Sequence, residues 1–316
     1  MTRKYRRITS AITVLFVMVA AFAPSPGGAA TRPMTQTLVF DAVGTASFVD
    51  RPPVGPGPGD TEFFTARLRD ASGRFVGTVR STCVLTKVIP NDVLERCSAT
   101  GRTSEGTLSF GGVGHLESTN PPWRVSDGTG AYRGAHGELV FDAGIQVNPN
   151  APLPAGRLFS VGVFELTTNH QLHVGVVPRP AANTTFIQQA NAACDATERQ
   201  AMTLPGVPFA TFDPLHPDPQ LLPQVGRFFD RPARRRLPGA LIAELEKLGQ
   251  PPASSQAWSN VLNARQAALA TETRQIKAAL ADDAAAFVRT VYQLANMYNR
   301  LVFTSAIFGV QSCTFG

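Results

Sequence analysis

The chain has 316 residues and a formal net charge of +6, but its first thirty residues hold four of the 29 basic residues and none of the 23 acidic ones. Without them 25 basic residues face 23 acidic ones, a net charge of +2, which removes the main support for a nucleic-acid partner. The remaining 286 residues suit two domains, and no later segment approaches membrane-spanning length.

Arg3, Lys4, Arg6 and Arg7 precede an apolar run at 8–23, and the small residues Gly28, Ala29 and Ala30 follow. That order reads as a secretory signal peptide over 1–30, cleaved near Ala30, and it predicts an extracytoplasmic protein. A retained anchor is the alternative, although the run is short for a spanning helix. In an exported chain the four cysteines (Cys83, Cys97, Cys194 and Cys313) are expected to form two disulfides.

From residue 31 to about 177 the chain reads as strands. Segments 35–42, 62–69, 75–88, 106–110, 137–141 and 158–166 are rich in β-branched and aromatic residues, with Gly, Pro, Asn and Asp clusters between them. Many short strands with frequent turns predict an antiparallel barrel or sandwich. The stretches RPPVGPGPGD (51–60) and NPNAPLPAG (148–156) are too rich in Pro and Gly for strands and read as loops. In CVLTKVIPNDVLERC the turn residues Pro90, Asn91 and Asp92 fall at the middle. Cys83 and Cys97 then lie almost symmetrically about the turn, as opposed residues of a hairpin would, and are expected to bond. VPRPAAN (177–183) contains a linker at 178–183.

Residues 184–316 follow a helical period. A first helix spans about 184–202, with Asn183 or Thr184 as its cap. A second helical region lies within 219–248, interrupted at Pro232 and Pro238. A third helix carries Trp258, Leu262, Leu269, Ile276 and Leu280. In the last, Phe287, Val291, Leu294, Tyr298, Leu301, Ser305 and Phe308 recur at steps of four and three, with Val288, Ala295 and Val302 beside them. Four such helices predict a bundle, tied by a Cys194–Cys313 bridge.

GPGPGDTEFFTARLRDASGRFVGT, CVLT, GTLSFGG and VSDGTGAYRGAHGELVF follow one another over residues 35–170. In that order they resemble the allene oxide cyclase barrel-like family, to whose superfamily the dirigent proteins belong. The family mark is a glycine-rich hairpin of the form GGTGxYxGARG, from which this chain departs at Asp127 and His136. The resemblance implies an eight-stranded antiparallel β-barrel with a largely apolar cavity. In plant cyclases an acidic residue of the first strand and a neighbouring asparagine assist ring closure. Asp41 is the match here, without the asparagine, and Asp50 is the other candidate at a barrel mouth. Phe64, Tyr132 and Arg133 are the candidate ligand contacts. Gly128 and Gly130 are expected to turn the chain at positive φ, and Gly134 and Gly137 to let a curved strand bend. The C-terminal half is similar to secreted helical domains of actinobacteria, which implies a bundle and no catalysis.

Other chemistry finds few residues. His170 and His173, three apart on an extended chain, face opposite sides, and no other metal-ligand spacing, phosphate loop or nucleophile elbow occurs. No metal or other cofactor is therefore expected. RPARRR (231–236) reads as a solvated helix face, with contact to an anionic envelope component as the alternative. Asn183-Thr-Thr fits a glycosylation sequon but reads as a helix start. These features favour an exported barrel that binds a small hydrophobic molecule, with a helical unit for a partner or the envelope. The alternative is an isomerase or cyclase acting in the barrel, and the third reading is a structural envelope protein.

Overall fold

The computed structural model describes residues 33–52, 57–89, 92–115, 121–142, 156–206, 212–214 and 216–312. The expected signal peptide at 1–30 and Cys313 lie outside the described residues, as do parts of the two Pro-rich loops. Eight strands come first: β1 (Met34–Val49), β2 (Thr61–Arg69), β3 (Phe75–Ile89), β4 (Asp92–Thr103), β5 (Gly106–His115), β6 (Trp123–Gly128), β7 (His136–Asp142) and β8 (Gly156–Thr168). Each pairs antiparallel with the next, and β8 returns to β1, so the sheet closes into a barrel. Closure gives each strand a paired neighbour on both sides. Residues 175–177 lie beside the start of β1, beyond the end of β2, with Val39 N–H donating to Gly175 O at 2.9 Å.

Period-two alternation sends Leu38, Phe40, Ala42, Leu68, Leu108, Phe110, Phe164 and Leu166 into the interior. Cys83 and Cys97 are opposed and bonded, with Cα atoms 4.0 Å apart. A bulge sets that pairing. The turn is tighter than the sequence suggests, because Ile89 pairs directly with Asp92. Continued unbroken, that register would set Cys83 against Ser98, on the other face. One extra residue between Leu85 and Lys87 shifts the register and brings the sulfurs together.

Five helices follow among the described residues, one more than expected: α1 (Thr184–Met202), α2 (Leu222–Phe229), α3 (Pro232–Lys247), α4 (Ser255–Leu280) and α5 (Ala284–Phe308). The region 219–248 breaks before Pro232, which starts α3 with the fixed φ suited to a first turn, whereas Pro238 sits inside α3 without ending it. Asn183 takes the cap position of α1, yet its buried side-chain amide exchanges two 3.0 Å bonds with Ala253 instead of capping. Phe186, Trp258 and Phe308 meet edge-on or tilted at 4.9–5.9 Å to form the bundle core. Cys194 is buried and disulfide-bonded, while its expected partner, Cys313, lies outside the described residues. No helix among the described residues is long and apolar enough to cross a membrane.

The last helix, α5, joins the two halves. Val302, Phe303, Ala306 and Ile307 pack on Val39, Val161 and Val177 of the barrel wall. Arg179 donates to the carbonyls of Ala306 and Ile307 at the end of α5, where a helix carries partial negative charge.

Candidate functional site

The barrel is not filled by its own side chains. A cavity of about 180 Å³ remains, lined mainly by Leu, Ala, Val and aromatic groups from every strand. Its rings form a continuous ladder. Phe40 meets Phe164 at 6.0 Å, Phe164 meets Phe110 at 5.1 Å, Phe110 meets Trp123 at 6.4 Å and Trp123 meets Phe141 at 4.7 Å. Phe64 completes the wall near Ser81 and Cys83.

Two carboxylates enter this lining, Glu62 from β2 and Glu95 from β4, at the end where β1 gives way to β2. Their direction follows from the disulfide. Glu62 pairs with Cys83, and Glu95 lies two residues from Cys97, so both share the inward face. Room for Glu95 comes from Gly114 opposite, where a Cβ would come within 2.4 Å of Oε1. Gly112 does the same for Trp123, where a Cβ would meet the indole at 2.5 Å. The indole N–H donates to Val113 O at 3.2 Å and is satisfied.

Glu95 is 7% exposed, and its Oε2 has no hydrogen-bond partner. Burial first, and then the neighbouring Glu62 charge, push its carboxyl up to about 7; burial also raises Glu62. The sulfurs of Cys83 and Cys97 lie within 4.8 Å of the Glu95 carboxylate, but they are spent in the disulfide and offer no thiolate to a metal. Glu95 can therefore accept or deliver a proton near neutral pH, or hold a donor or cation.

Opposite the carboxylates, the stretch SDGTGAYRGAHG closes the barrel. Tyr132 sits in a single turn of 3₁₀ helix, 2% exposed, with its hydroxyl 3.2 Å from that of Thr103. Burial, opposed by the Thr103 bond and aided by Glu105, holds this phenol at about 12, so it stays protonated. The turn is possible because Gly130 has φ +62°, and a Cβ there would lie 2.2 Å from Glu105 O. Gly137 has φ +151° and Gly134 φ +72°, whereas Gly128 is not at positive φ and is instead pressed against Tyr132.

The structure thus brings Phe64 and Tyr132 together in the cavity lining but leaves Arg133 exposed on the hairpin. Asp41 does not enter the cavity. Leu38, Phe40 and Ala42 take the inward positions, so Asp41 faces outward under α5, where Asn299 donates to it at 3.0 Å. Asp50 lies exposed after β1. Sequence reasoning passed over Glu62 and Glu95, although the Glu-x-Cys spacing at 95–97 places Glu95 on the inward face once Cys97 is known to point there.

No family model and no curated protein matches the chain. Among solved structures it is similar to a pyocyanin demethylase, at 21% identity over 42% of this chain and 100% of that one, with a TM-score of 0.34. It is also similar to a pterocarpan synthase dirigent protein, at 15% identity over 48% and 99% of the chains, TM-score 0.35. A Diels-Alderase from Streptomyces koyangensis aligns at 17% identity over 48% and 76%, TM-score 0.31. Likenesses of this size carry no chemistry to the present chain.

Proposed function

We propose that this is an exported binding protein whose barrel takes up a small, largely apolar molecule, with the helical unit as a docked partner- or envelope-contacting domain. The single observation that supports it most is the open cavity of about 180 Å³ inside a closed, aromatic-lined barrel. A dry cavity of about 150 Å³ lined by apolar groups accommodates benzene, so the space suits a one-ring molecule. The same opening counts against a purely structural role, for which a barrel filled by its own side chains would serve better. Export rests on the leader sequence alone.

A second reading, an isomerase or cyclase, has one specific observation in its favour. Glu95 combines burial, an unpartnered oxygen and a carboxyl titrating near 7, the properties of a general acid or base. It would supply one proton-transfer step to a substrate held in the same cavity. Fluorine NMR of fluorobenzene with the full mature chain tests the capture reading. Line broadening that Ala99→Phe abolishes, with circular dichroism unchanged, is the expected result, because Ala99 lines the cavity. Unbroadened fluorobenzene with the unmodified protein would count decisively against it.

A further inference from the structure

The geometry points to a small organic cation, a one-ring amine, as the class of molecule the barrel accepts, its ammonium against Glu95 and Glu62 and its ring among the aromatic groups. This inference rests on the capture reading and adds the charge of the ligand to it.

The polarity of the lining is one-sided. Its titratable side chains among the described residues are Glu62, Glu95 and Tyr132, with no Lys, Arg or His. Buried carboxylates are ordinarily paired or hydrogen-bonded. Glu95 Oε2 is neither, and the Glu95 side chain is part of the cavity lining. An ammonium entering the cavity would satisfy the orphan oxygen and separate two like charges at once. The aromatic lining adds a second attraction, since Trp123, Phe141 and Phe64 all line the cavity and a cation within about 6 Å of such a ring is favoured. An anionic ligand would instead meet two carboxylates in a poorly screened space. The disulfide next to Glu95 leaves a metal ion without thiolate ligands, which favours an organic cation over a soft metal.

Proton linkage follows from what surrounds Glu95. Glu62 faces it from β2, the Cys83–Cys97 bridge from β3 and β4, Gly114 from β5, and Trp123 stands nearby on β6. Glu62 is the one titratable group in that set. In the free barrel Glu95 holds its proton up to about pH 7. An ammonium binds the ionised form, so binding below that pH releases a proton, and affinity should fall about tenfold per pH unit there.

Titration calorimetry of the full mature chain with benzylamine, toluene and benzoate, at pH 5.5 and 8, tests this. Toluene reports on capture alone. At pH 8 benzylamine should bind at least about tenfold more tightly than toluene, and benzoate should not bind. At pH 5.5 most of that advantage should vanish. Glu95→Gln should erase the preference and its pH dependence while toluene binding persists, and Glu62→Gln should weaken benzylamine less. Toluene binding as tightly as benzylamine in the unmodified protein would overturn the cation assignment and leave capture standing. A preference that survives Glu95→Gln would overturn the role given to that residue. Failure of both benzylamine and toluene to bind would overturn capture and cation together.

Discussion

Glu95 shows how a single residue can oppose the fold that holds it. Its carboxyl is raised from an ordinary 4.5 to about 7, so the folded state binds a proton that the unfolded state has released between those values. Stability must therefore fall as pH rises from about 4.5 to about 7, by about 3 kcal/mol in total at 1.36 kcal/mol per unit. Glu95→Gln keeps the shape and removes the charge. It should raise stability by up to about 3 kcal/mol at pH 8 and change little at pH 4.5, read as urea midpoints at the two values. Equal effects at both would mean that the side chain acts by packing, not by charge. At the closed end of the barrel backbone conformation decides. Gly130→Val places a β-branched residue at φ +62° with its Cβ against Glu105 O, and should cost at least about 1–3 kcal/mol in thermal or urea unfolding. The exposed Arg133→Ala should shift the same measurement by less than about 0.5 kcal/mol and leave ligand uptake intact.

Among the elements, the β3–β4 hairpin does most to form the site. Its bulge turns Cys83 and Cys97 toward each other, and the same phase turns Glu95 and, across the pair, Glu62 inward. Replacing both cysteines with alanine should lower stability by about 3 kcal/mol, as expected for a bridge spanning 14 residues, and should blur the position of Glu95. Circular dichroism melts under non-reducing conditions would measure the first effect. Loss of benzylamine selectivity would register the second. The hairpin and its bridge were legible in the sequence because turn residues and cysteine symmetry are local signals. The first strand was harder. Its residues 36–42 are buried on both faces, since α5 covers the outside, and the alternation that would have told Asp41 from Phe40 is absent. Asp41 therefore read as a cavity residue by resemblance, while parity places it under α5. The helical period at 219–248 was visible, but proline marks a helix start as readily as a break, and only the packing separates Pro232 from Pro238.

At the scale of the whole molecule, the same helix that hid Asp41 decides how the halves relate. The broad apolar stripe of α5 is two faces: Phe287, Leu301 and Phe308 enter the helical cores, and Val302, Phe303, Ala306 and Ile307 cover the barrel wall. Asn299 to Asp41 and Arg179 to the end of α5 add polar bonds at the same seam. The segment 178–183 is accordingly more than a tether, for Arg179 and Asn183 are both held by their side chains. Each half still owns an apolar core, so the seam should couple two units that can fold without it. Ile307→Asp tests this by placing a carboxylate among Val39, Val161 and Val177. The full chain should unfold in one calorimetric transition, and the variant in two, with the barrel's uptake of fluorobenzene preserved through the lower one if the helices melt first. A variant that still unfolds in one transition would show that the halves are coupled by more than this seam. Two transitions in the unmodified chain would show that the seam couples them weakly from the outset.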